Sequence, residues 1–145
     1  MGMDLQNKEG EWFQCRGVAW RMTLILARNY GWQPVGTLPP LEADGSEPQD
    51  LCIIKVTQPS RFLSYCLYYI KKLTNRTQGY WDSSNYTSND GQRVTDADAH
   101  SLAEVLLHVR EGVKGTEMEE HYIGDPEKWF SEFITYFRKG GFSIH

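Results

Sequence analysis

Apolar residues recur at helical spacing in four stretches of the chain, and each stretch is faced differently. The first runs from about Val18 to Tyr30, where Gly31 supplies a residue suited to a left-handed cap. Wound at about 100° per residue, Val18, Trp20, Met22, Leu24, Ile25, Leu26 and Ala27 surround nearly the whole helix, with Arg21 and Arg28 as a narrow polar stripe. A helix so faced is central, touched by others on several sides. The second, opened by Pro59 and running about Ser60 to Leu73, gathers Phe62, Leu63, Cys66, Leu67, Tyr69, Ile70 and Leu73 on one side. The third starts at Thr95, a good N-cap, with Asp96 and Asp98 in the first turn, where the helix dipole favours negative charge. Ala99, Leu102, Ala103, Leu106 and Val109 form its apolar face. The fourth begins at Asp125 with Pro126 at the first helical position, and carries the strongest pattern: Trp129, Phe130, Phe133, Ile134, Tyr136 and Phe137 against Lys128, Ser131, Glu132, Thr135, Arg138 and Lys139. Gly140 and Gly141 end it, and Phe142 to His145 reads as a short edge strand or a hydrophobic cap.

The segments between these helices are unlike one another. Residues 33–50 hold Pro34, Pro39, Pro40 and Pro48 with Glu42, Asp44, Glu47 and Asp50 and no basic residue, which predicts a flexible acidic loop. Leu51 to Val56 is apolar and β-branched, as one buried strand requires. Asn89-Asp90-Gly91 tolerates the positive φ of a tight turn, so Tyr80 to Thr87 and Gln92 to Val94 are read as a small hairpin. The expected fold is α+β and mostly α: about four helices around a buried N-terminal helix, with that hairpin as a minor sheet. All 145 residues form a single domain, long enough to bury a core without a metal or a disulfide.

Composition narrows the function classes. The net charge is −4 and no run of basic residues exceeds two, so no nucleic acid is expected as a partner. The longest apolar run, Met22 to Ala27, is far short of a bilayer span, so no membrane is expected. Cys15, Cys52 and Cys66 are odd in number and lack Cys-x-x-Cys spacing. They read as reduced thiols, and with no secretory segment in view the expected compartment is the bacterial cytoplasm.

Few local patterns carry chemistry. His100, Glu104 and His108 line one face of the third helix, but the two imidazoles stand about 12 Å apart along its axis, too far for one ion without bending, so at most one adjacent pair could ligate, helped by a partner such as His121. A solvated helix face explains them, and no metal or other cofactor is expected. The Asn89-Asp90-Gly91 turn fails as a calcium loop, since Tyr86 and Ala97 stand where oxygen ligands belong. Phosphate-loop, nucleophile-elbow and zincin patterns are absent. Asp96 and Asp98 point to different helix faces and read as dipole partners. What remains is a set of aromatics in polar surroundings: Trp32, Tyr80, Trp81 and Tyr86, with Asn89 and Asp90 beside them. Aromatic planes amid amides and hydroxyls suit sugars, flat ligands or a protein hot spot. Large aromatics usually bury most of their area, so the reading preferred for the same residues is that they fold inward and close the small hairpin over the helices.

The string Tyr86-Thr-Ser-Asn89-Asp90-Gly91-Gln92-Arg-Val94, followed by Asp98-Ala99 and Leu102-Ala103, resembles a group of small uncharacterised bacterial proteins. Gly31-Trp32-Gln33-Pro34 with Gly36-Thr37, and Gly140-Gly141-Phe142, are similar to that group as well. The resemblance spans about half the chain in three pieces and brings no activity with it. The expected function is that of a non-enzymatic binding or interaction protein, an immunity-type or regulatory partner. The alternative is a small enzyme or small-ligand-binding domain with its site between the aromatic hairpin and the acidic loop.

Overall fold

The computed structural model describes residues 2–49, 84–122 and 124–145. The strand expected at Leu51 to Val56, the helix expected at Ser60 to Leu73, and Tyr80 and Trp81 lie outside these residues.

The chain opens on a β-hairpin, β1 (Gly2–Asn7) and β2 (Trp12–Arg16). Its cause is an alternation of period two: Met3, Leu5 and Asn7 are buried while Gly2, Asp4 and Gln6 face out. Asn7 builds the turn. Its Oδ1 accepts the backbone N–H groups of Glu9 and Glu11, at 3.1 and 2.9 Å, and Gly10 takes φ 81°. Helix α1 (Gly17–Asn29) follows directly and is buried on most sides, as its nearly continuous apolar surface requires.

Beyond it come β3 (Thr37–Leu38), the helical turn α2 (Ser84–Thr87), β4 (Arg93–Val94) and α3 (Asp96–Val113). A 3₁₀ turn (Glu117–His121), α4 (Pro126–Arg138) and β5 (Phe142–Ile144) complete the described order. The expected caps are present. Thr95 accepts the N–H of Asp98 at 3.1 Å, and Asp125 accepts the N–H of Glu127 at 3.1 Å.

The sheet corrects the expected fold. Instead of a minor hairpin, five antiparallel strands run in the order β2-β1-β5-β4-β3. The anticipated Tyr80–Val94 hairpin does not form across its described part: residues 84–87 are helical, and Arg93 and Val94 pair with Thr37–Leu38 on one side and Phe142–Ser143 on the other. Phe142 to Ile144 is neither an edge strand nor a cap but the central strand. Such short strands carry too little periodicity to read singly; their neighbours make them strands. The helices cover one face of the sheet, and the core lies between.

Aromatic rings fill that core. Trp20 lies about 6 Å from Phe133, Phe137 and Phe142, and Phe137 stacks on Phe142 at 5.0 Å. Removing any one of these rings would cost about 3–5 kcal/mol. The turn from α4 into β5 passes very close to β4: a Cβ on Gly141 would stand 2.5 Å from the Val94 carbonyl oxygen. Gly140, at φ 111°, makes the reversal. The Gly-Gly pair is what lets β5 enter the slot between β1 and β4.

Candidate functional site

Trp32 and Tyr86 sit inside the molecule, 1% and 2% exposed, with their rings edge to face at 5.5 Å. Both attach to Asp98, itself buried. The Asp98 carboxylate accepts the Tyr86 hydroxyl at 2.8 Å and the Val35 and Gly36 backbone N–H groups at 3.0 and 3.4 Å. The Trp32 indole N–H reaches the Asp98 carbonyl at 3.3 Å and the Ser101 hydroxyl at 3.0 Å. Burial, and next the Asp98 charge, push the Tyr86 phenol well above its ordinary range, so it stays protonated and donates. The arrangement ties residues 32–36, α2 and the first turn of α3 together. Asp98 therefore does more than complement a helix dipole.

Asn89 and Asp90 are exposed. Their neighbour Gln92 is buried, and its amide donates to the carbonyls of Asn85 and Ser88, closing α2. His100, Glu104 and His108 are exposed, and Glu104 faces Arg138 at 3.5 Å. The His121 side chain lies outside the described set, and among the described residues no three His, Cys, Asp or Glu groups converge as a metal site. Burial pushes the Cys15 thiol up to about 12, which removes it as a nucleophile.

The three segments on which the family resemblance rests meet at one corner of the sheet. Thr37 pairs with Val94, Val94 pairs with Phe142, and the Gly91 N–H donates to the Ile144 carbonyl at 2.8 Å.

The open face of the sheet, opposite the helices, holds a cleft of about 700 Å³. Its position follows from register. Trp12, Gln6, Ser143, Arg93 and Leu38 stand side by side across all five strands, and period-two alternation sends them to the face away from the core. Pro40, Leu41 and Glu47 from the acidic loop form one wall, and Lys8 and Gly10 from the β1–β2 turn form another. Arg93 holds the loop wall in place, donating to the Pro39 carbonyl at 2.8 Å and gripping the Glu47 carboxylate with two nitrogens at 2.8 and 2.6 Å. That grip holds the Glu47 carboxyl below its ordinary range. Lys8 reaches Asp96 at 2.8 Å, and this bond, with the Gly141 N–H, lowers the Asp96 carboxyl. On the floor, Ser143 Oγ and His145 Nε2 stand 2.7 Å apart, and the His145 ring leans on Trp12 at 5.3 Å. Trp12 is 56% exposed.

Of these residues the sequence named none individually as a site; only the acidic loop, residues 33–50, stood in it as one side of the alternative site. The signal was present in the alternation of residues 2–7 and 12–16, but the row forms only when β5 and β4 join it. A shallower groove of about 430 Å³ runs along α4, where Lys139 is already bonded to Glu11 at 2.7 Å. No family model, curated protein or solved structure gives a significant match to the chain. No helix among the described residues is long and apolar enough to cross a membrane.

Proposed function

We propose that the protein is a non-enzymatic binding protein, an immunity-type or regulatory partner, that seats its target in the cleft on the open sheet face. One observation carries this reading: a cleft of about 700 Å³ with Leu41, 45% exposed, in its wall, and with the half-exposed indole of Trp12 just outside the lining, against His145 at 5.3 Å. Folded proteins ordinarily use such an indole to fill a core, and Trp is enriched among residues that dominate binding energy. The rigid sheet beneath keeps the ordering cost of binding low.

The Ser143–His145 contact favours the second reading, a small enzyme or ligand-binding domain beside the acidic loop. A hydroxyl 2.7 Å from an imidazole nitrogen has the spacing of a nucleophile and its base. Strand geometry also brings residues i and i+2 together on one face without any chemistry.

Tagged wild-type protein and the Trp12→Ala variant, passed over native lysate in parallel, test the first reading. A stoichiometric partner retained by the wild type and lost by the variant is the expected result. Identical recoveries from both proteins would sink it. Ester-hydrolysis assays of wild type and Ser143→Ala test the second, which requires turnover that the variant lacks.

A further inference from the structure

The charges lining the cleft are already committed to one another. Four lining residues carry formal charge, Lys8, Glu47, Arg93 and Asp96, and they form two closed pairs, Lys8–Asp96 and Arg93–Glu47. All three nitrogens of the Arg93 guanidinium are occupied by Pro39 and Glu47. An anionic or cationic ligand would have to break one of these pairs, or lie against groups whose field is already cancelled. Asp4, the next carboxylate along β1, does not line the cleft.

What the floor still offers is uncharged or weakly committed. The Gln6 amide has no hydrogen-bond partner among the described residues and provides both donors and an acceptor. Beside it in register stands Ser143, whose hydroxyl lies 2.7 Å from His145 Nε2 and 3.4 Å from the Gln6 carbonyl oxygen. An exposed indole closes the row at Trp12, directly opposite Gln6. Leu38, Pro40 and Leu41 give an apolar wall. The combination is an aromatic plane, an amide and a hydroxyl in one row, with an imidazole two residues further along the chain, and the charged side chains Lys8, Asp96, Arg93 and Glu47 cancel in pairs.

We infer that the ligand of this cleft is a neutral, hydroxyl-rich molecule with one apolar face, that is, an uncharged saccharide. Its C–H face packs on Trp12, and its hydroxyls exchange hydrogen bonds with Gln6, Ser143 and His145. The inference rests on the proposal that this cleft is the binding site, and specifies the chemistry of what enters it. The saccharide is either free or displayed on a partner.

Calorimetric titration of the full chain with cellobiose, maltose and N,N′-diacetylchitobiose tests it, with glucuronate and inorganic phosphate as anionic probes. At least one neutral disaccharide binds, and both anions bind more weakly than it does. Trp12→Ala weakens that binding about tenfold, the worth of one aromatic contact. Gln6→Leu weakens it several-fold by removing the amide while keeping the bulk, and Lys128→Ala on the far helix leaves it unchanged. Trp12 and Gln6 lie on the open face, and circular dichroism of each variant confirms the fold. The same sugars immobilised on a surface separate the two sources: binding to soluble and displayed forms alike marks a free sugar, and binding to the displayed form alone marks a partner-borne glycan. Absence of binding to any neutral sugar in either format overturns the inference, as does a preference for phosphate or glucuronate, or equal affinity in wild type, Trp12→Ala and Gln6→Leu. A Trp12-dependent protein partner in the lysate experiment, without sugar binding, would leave the binding function standing and remove only the saccharide.

Discussion

The two faces of the sheet handle polar groups in opposite ways, and the first turn of α3 shows both at once. Asp98 points into the covered face, is 2% exposed, and is enclosed by two backbone N–H groups and a phenol. Asp96, two residues earlier, points toward the cleft, is half-exposed, and pairs with a lysine in water. In the covered face a carboxylate is admitted only with its acceptors filled, because an unpaired buried charge is costly. On the open face water completes whatever the neighbours leave undone, so a group such as the Gln6 amide needs no protein partner. The buried network lies on one face and the candidate cleft on the other.

That contrast can be broken by substitution, and the largest effect is expected where the two faces meet. Gly141→Ala places a methyl group 2.5 Å from the Val94 carbonyl oxygen, a backbone atom that cannot swing aside as the Asp96 side chain, at 3.1 Å, can. A loss of about 2–4 kcal/mol is expected in urea unfolding, with the m-value preserved. An unchanged midpoint would show that β5 does not run as closely beside β4 as the structure places it.

Asp98→Asn comes next. The amide keeps one acceptor oxygen but presents N–H donors to the N–H groups and the phenol that Asp98 now receives, and about 1–3 kcal/mol should be lost. Tyr86→Phe should then cost less in the Asp98→Asn background than in the wild type, because the phenol there loses a charged acceptor that it shares with two N–H groups; additive losses would argue against a shared network.

The smallest effect belongs to the open-face acid, and it depends on pH. Asp96 has its carboxyl lowered, first by the Lys8 hydrogen bond and then by the Gly141 N–H. A lowered folded-state value means that its stabilisation is complete above the ordinary value of 3.8 and disappears as pH falls through the lower folded value. Asp96→Asn should therefore cost less than about 1 kcal/mol at pH 7, given its exposure, and the gap from wild type should close below pH 3.8. A gap that stays constant down to pH 2 in thermal unfolding would show that the carboxylate charge is not what stabilises there.

The helices whose apolar residues repeat over several turns were legible from the chain alone. Thr95, Asp125, Pro126 and Gly31 mark boundaries that depend on bonding within a few residues, and α1 announces its central place by having no polar face. The acidic loop was legible in composition but not in attachment: the cation that holds Glu47 is Arg93, forty-six residues away. Trp32 and Tyr86 stood out as aromatics in polar surroundings, and the surroundings that decide their burial belong to other segments. Trp32 needs the carbonyl of Asp98, and Tyr86 needs its carboxylate.

The amino-acid sequence by itself determined where α1, α3 and α4 begin and which of their faces are apolar, because helix hydrogen bonds and caps are local. The sheet and the cleft were decided only by tertiary structure. A strand of two or three residues has no stabilising partner inside its own segment, and β3, β4 and β5 exist because register brings residues 37, 94 and 142 together. The same register lines up Trp12, Gln6, Ser143, Arg93 and Leu38 from five distant places. The candidate site is a product of pairing, and no single stretch of the chain contains it.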